Sequence, residues 1–122
     1  DKTQDRVYGK LTSIQERLSW LHRLFKSKSY LTVIINPDTL SLAEAVRIRH
    51  ELEKLDVHID SVCLNKAPMD GSYGDEVKQK FHDFPIFTAL FIPEGLNSIE
   101  DLEKVQISGL AENIEAKIHA MK

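Results

Sequence analysis

The chain has 122 residues, of which 42% are hydrophobic and 29% charged, and its net charge is −3. That is the size of one domain with apolar material for a core, and it lacks the basic excess expected for nucleic acid or an anionic membrane surface. The single cysteine, Cys63, excludes an intrachain disulfide framework and suits a reducing compartment, and the absence of a signal peptide or a membrane-length apolar run points to a cytoplasmic location.

In chain order, residues 1–10 are polar, contain Gly9, and are expected to be loose. A helix is predicted over about 11–27, where Leu11, Ile14, Leu18, Leu21 and Phe25 recur in steps of three and four, with Trp20 and Leu24 widening the stripe. That stripe either packs on a sheet or forms a groove for a hydrophobic partner helix. The run 26–30 ends the helix, and the apolar run Leu31–Ile35 reads as a strand over about 30–36. Asn36-Pro37-Asp38 is a turn signal, because the proline disfavours helical geometry at Asn36.

A second helix is predicted from near Ser41, with Ser41 and Glu44 at capping-box spacing. Leu42, Ala45, Ile48, Leu52 and Leu55 would be its buried stripe, and Arg47, Arg49, Glu51, Glu53 and Lys54 its solvated face. A second strand follows at about 58–64 and ends at Asn65-Lys66-Ala67-Pro68. Strand, helix and strand of these lengths make a βαβ unit with parallel strands, covered on both faces.

Residues 69–75 read as a surface loop, then a short helix at about 74–83 packs Val77 and Phe81. A third apolar run, Ile86–Ile92, lies between Pro85 and Pro93; Pro93-Glu94-Gly95 is a loop; helices follow at about 98–104 and 109–121. Strands alternating with helices predict an α/β domain, a three-layer, mostly parallel sheet flanked by helices. Three strands are few for such a sheet and leave two outer edges to cover. Either a further segment supplies more strands or the chain pairs with another copy; together with a start at Asp1, this leads to the expectation that residues 1–122 are a single α/β domain, the carboxyl-terminal portion of a larger protein.

Few of the residues form a recognisable chemical motif. The five histidines form no close pair and there is no CxxC, so no metal site is expected. Cys63 sits within an apolar strand run and reads as a core thiol. No GxSxG elbow, no GxxxxGK[ST] phosphate loop and no GxGxxG occurs. What remains is positional: Asn36, Asn65 and Pro93 each close one apolar strand, at the edge where open α/β sheets bind ligands. The Asn65 amide offers a donor beside an acceptor, which matches an adenine edge; an Asn ending a strand is also ordinarily a turn residue.

These residues carry a family resemblance. Val33–Ile35, Pro37-Asp38, Leu42-Ala43-Glu44, Glu51-Leu52 and Leu64-Asn65 resemble the strand, Pro-acid, Leu-x-Glu, Glu-Leu and closing Leu-Asn of the anion-transporting, or arsenical pump-driving, ATPases, which include the ATPases that deliver tail-anchored membrane proteins. The likeness extends over about 11–96, with the preceding helix and the later segment Leu90–Gly95 also similar. The resemblance implies a P-loop NTPase-type fold acting as a dimer or pseudodimer on ATP with magnesium, and a membrane pump or a membrane-protein client as partner, with no nucleic acid. It implies adenine contacts from the Asn65 side chain and from the backbone of Pro93, Glu94 and Gly95. The family's P-loop, magnesium-binding residues and hydrolytic aspartate lie upstream and match no position here. The chain is therefore expected to lack the P-loop segment, to bind neither ATP nor magnesium independently, and to contribute no catalytic residue. The zinc CxxC of the tail-anchor branch and the several cysteines of the arsenite-responsive branch are absent, so no cargo carries over.

Overall fold

The computed structural model describes residues 1–121. The elements run α1 (Lys2–Ser27), β1 (Thr32–Ile35), α2 (Thr39–Lys54), β2 (Ser61–Ala67), α3 (Gly74–Lys80), β3 (Ile86–Leu90), a 3₁₀ turn (Glu100–Lys104) and α4 (Leu110–Met121). The strands form one parallel sheet in the order β1-β2-β3. This is the α/β class that the alternating pattern predicts.

The register explains the core. Val33 lies opposite Val62, Ile35 opposite Leu64, and Val62 opposite Ile86, so these five side chains share one face. Facing residues of parallel strands point the same way, and alternate residues point to the other face. Ala45, Val77 and Phe81 are buried in the same cluster, with Leu42, Val46, Leu52 and Phe84 packed against it. Phe81 is fully buried, and Arg49 lies over the Phe81 and Phe84 rings at 5.9 and 4.7 Å from their centroids. The predicted stripe of α2 is therefore half right. Ala45 is its buried residue, Leu42 and Leu52 are half-buried, but Ile48 and Leu55 are exposed.

The second face carries Ile34, Cys63 and Phe87 in one row. Cys63 is buried, and that burial pushes its thiol pKa up, as a core thiol requires. The start of α4 meets this face at Gly109, whose φ is +87° and where a Cβ would stand 3.3 Å from Phe87 Cε1. The rest of α4 is tied to the amino-terminal edge of the sheet. Tyr30 donates to Asn113 at 2.6 Å, and Lys117 donates to both oxygens of Asp60 at 2.6 and 2.7 Å. Asp60 also accepts from the Leu31 N–H at 2.8 Å. Ile34, at the edge in β1, remains 65% exposed.

Several boundaries differ from the pattern. Residues 2–10 are helical, not loose: the Asp1 carboxylate caps the helix by accepting from the Thr3 N–H at 3.1 Å. That cap and the helix formers Lys2, Gln4, Arg6 and Lys10 act against the ~1 kcal/mol penalty of Gly9. Asp38, not Ser41, caps α2, accepting from the Ser41 N–H at 2.6 Å, while the Ser41 hydroxyl accepts from the Asn36 N–H at 2.9 Å. The end of α2 closes as a Schellman turn, with Val57 N–H donating to the Leu52 carbonyl and Asp56 N–H to that of Glu53, and Asp56 takes the left-handed position at φ +57°.

The largest departure is α1. Its stripe of Val7, Leu11, Ile14, Leu18, Leu21 and Phe25 is exposed, and the helix has no buried residue. The expected packing on the sheet is not made by this chain. Its carboxyl-terminal end is fastened by His22 Nε2 donating to the Leu55 carbonyl at 2.6 Å and by an ion pair between Lys26 and Asp56. That lysine holds the Asp56 carboxyl below the usual carboxylate range.

Candidate functional site

The carboxyl edge of the sheet is shaped by a break in β2. The strand does not close at Asn65. It continues to Ala67, and its register against β3 shifts between Leu64 and Ala67. Lys66 sits at the shift with φ +52°, a left-handed conformation costing roughly 1–2 kcal/mol for a residue with a Cβ. A bulge of this kind bends the strand and re-aims its side chains. Here the pairing resumes beyond it, with Phe91 N–H donating to the Ala67 carbonyl at 2.9 Å.

Beyond the bulge lies a cavity of about 510 Å³, lined by Asn65, Lys66, Leu90, Phe91, Pro93, Gly95, Leu96 and Val105 among others. Small-molecule sites are typically concave, mostly apolar and marked by a few placed polar groups. Of the four sequence candidates, Asn65, Pro93 and Gly95 meet on this cavity. Glu94 lines the adjoining one of about 330 Å³, with Met69, Phe91 and Lys104.

The loop behind the cavity is tied in place by its own side chains. Gly95 N–H donates to the Ile92 carbonyl at 3.0 Å, closing a turn over Pro93 and Glu94, and Gly95 has φ +74°. The Glu94 carbonyl accepts from Asn97 Nδ2 at 3.3 Å. Asp101 accepts from the Asn97 N–H at 2.9 Å and pairs with Lys104 at 3.0 Å, and the Asn97 N–H holds its carboxyl below the usual range.

On the other side of Asn65 stands Asn36. Ile35 faces Leu64 in the register, so Asn36 and Asn65 follow each other across the same edge. Asn65 Nδ2 donates to Asn36 Oδ1 at 3.4 Å. Sequence reasoning placed both at strand ends but did not pair them. It also passed over Lys66, Phe91, Leu96 and Val105; the bulge that turns this edge has no Gly or Pro to announce it.

A second cavity, of about 550 Å³, lies between α1 and the amino-terminal side of the sheet. Leu18, His22 and Phe25 line it from α1, and Leu31, Leu52, Leu55 and Val57 from the domain. Among the described residues, no three His, Cys, Asp or Glu side chains gather to hold a metal, and no helix is long and apolar enough to cross a membrane.

A parallel α/β sheet with a cavity at its carboxyl edge thus defines the class of the molecule. A model of the family described as anion-transporting ATPase matches residues 1–108, and the chain belongs to that family. The match is wider than the 11–96 over which the motifs were legible. A search of curated protein sequences found no match.

Proposed function

We propose that this chain supplies adenine recognition to an anion-transporting-type ATPase, as its carboxyl-terminal portion. The observation that carries the reading is the edge cavity, where Asn65 from β2 meets Pro93 and Gly95 from the loop after β3. Its apolar walls, Phe91, Leu96 and Val105 among them, suit the faces of a flat heterocycle, and the Asn65 amide suits its polar edge. Phosphate and magnesium chemistry belongs to the P-loop, switch residues and catalytic aspartate that the family carries elsewhere in the complete protein. The complete protein works as a homodimer or pseudodimer, with ATP, magnesium and a membrane pump or membrane-protein client as partners.

The test is titration of ATP against the full-length protein and its Asn65→Ala variant. The amide contact predicts roughly a tenfold weaker affinity for the variant, the scale of one well-formed polar contact. Equal affinity rules out Asn65 as a base contact.

A second reading is a non-catalytic targeting module, and the exposed stripe of α1 with its 550 Å³ groove favours it. An apolar helical peptide crosslinking to Leu18 or Phe25 in the full-length protein supports that reading. Protection of the same side chains in the unliganded protein counts against it.

A further inference from the structure

Asn65 can read two different bases. Turned one way, an asparagine amide accepts from the N6 amine of adenine; turned the other, it donates to the O6 of guanine or hypoxanthine. An amide that rotates freely discriminates poorly between them. Something beside Asn65 must therefore set its direction if the pocket is to choose.

We propose that Asn36 is the specificity-determining residue of the edge cavity, holding the Asn65 amide in the orientation that accepts from an adenine N6 amine and rejects a 6-oxopurine. This rests on the reading of the cavity as a base site. Three observations carry it. First, the strand order puts β2 between its neighbours, with Asn36 just past the end of β1 and the cavity on the β3 side. Second, Asn65 Nδ2 donates to Asn36 Oδ1 at 3.4 Å. With Nδ2 turned to Asn36, Oδ1 is the amide atom left to accept from a base in the cavity that Asn65 lines. Third, the backbone of Asn36 is held on both sides, its N–H donating to the Ser41 hydroxyl at 2.9 Å and its carbonyl accepting from the Asp38 N–H at 2.8 Å. The acceptor that Asn65 faces is thus carried on a pinned turn.

Rotating Asn65 to greet an O6 would set its oxygen against the Asn36 oxygen, two acceptors with no proton between them. Escape requires Asn36 to rotate as well. The pair is then a two-amide latch, and Asn36 acts through Asn65 as a positioning residue.

The experiment titrates ATP, GTP and ITP against the full-length protein and its Asn36→Ala, Asn36→Asp and Asn65→Ala variants. Asn36 is exposed, so its substitution leaves the core intact, and a thermal melt of each variant checks this. Asn36→Ala frees the amide, and the preference for ATP over GTP and ITP falls about tenfold or more. Asn36→Asp offers only acceptors, so it keeps the preference, whatever its added charge does to triphosphate affinity in general. The readout is the ratio of affinities, which a general loss of binding does not move. If Asn65→Ala weakens ATP but Asn36→Ala leaves the ratio unchanged, the role of Asn36 is overturned and the base site stands. Loss of preference in Asn36→Asp as large as in Asn36→Ala overturns it too. If Asn65→Ala leaves ATP affinity unchanged, the base reading fails and the latch falls with it.

Discussion

Substituting Asp60 by Asn removes the charge that fastens α4 to the sheet while keeping the side-chain shape. In the native protein Lys117 Nζ stands 2.6 and 2.7 Å from the two Asp60 oxygens, and the Leu31 N–H donates to one of them at 2.8 Å. The side chains of Lys117 and Asp60 are 27% and 20% exposed. Asparagine keeps an oxygen for Leu31 but presents an NH₂ to the ammonium. Breaking a fully buried pair costs about 3–5 kcal/mol, and a fully exposed pair contributes about 0.2–1 kcal/mol. This pair lies between those limits, and we expect a loss of about 2 kcal/mol. With a urea slope of about 2 kcal/mol/M, that is a midpoint lower by about 1 M. Hydrogen exchange sharpens the assay, because the amides of α4 and of Leu31 should exchange faster than those of α2. Lys117→Met in the Asp60→Asn background should recover part of the loss, since it removes the orphaned charge. A variant with an unchanged midpoint and unchanged α4 exchange would refute the claim that this pair docks the helix.

Gly109→Ala should destabilise by about 1–2 kcal/mol, the cost of a Cβ in the left-handed region, aggravated by the 3.3 Å approach to Phe87 Cε1; an unchanged melting temperature would show that the turn relaxes freely. The Asp56 carboxyl has a folded-state pKa below its unfolded value because of Lys26, so its contribution is present above the unfolded value and is lost as pH falls through the folded one. NMR titration should find the Asp56 carboxyl below the usual range, and Lys26→Met should bring it back up; a titration indifferent to Lys26 would remove the ion pair from the account of how α1 is held.

Much of the fold was legible in local pattern. Continuous apolar runs and helical steps identify β1, α2 and β2 as a parallel βαβ unit, and Val77 and Phe81 read directly as core because a short amphipathic helix has one face to bury. Cys63 read as buried for the same reason. The candidate site was legible in part: Asn65 and Pro93 both line the cavity at the carboxyl edge of the sheet, although β2 runs on to Ala67 and β3 stops at Leu90. Glu94 entered with them by adjacency in sequence and lines a different cavity, because a turn over Pro93 aims neighbouring residues apart.

Periodicity states that a face must be covered and does not say by what. The stripe of α1 has the spacing of a packed helix, yet its side chains stand exposed, from Val7 to Phe25. Contacts across long sequence separations leave no local trace either. Asp60 and Lys117 are 57 residues apart, and each alone reads as surface charge. Asn36 and Asn65 are 29 apart, and they become partners through the strand register. The composition and periodicity of the chain thus mark out its strands and most of its helices, since those follow from backbone geometry within a few residues. The bulge at Lys66, the cavity it opens and the pairing of the two asparagines depend on where whole strands lie beside one another, and that is decided when the sheet assembles.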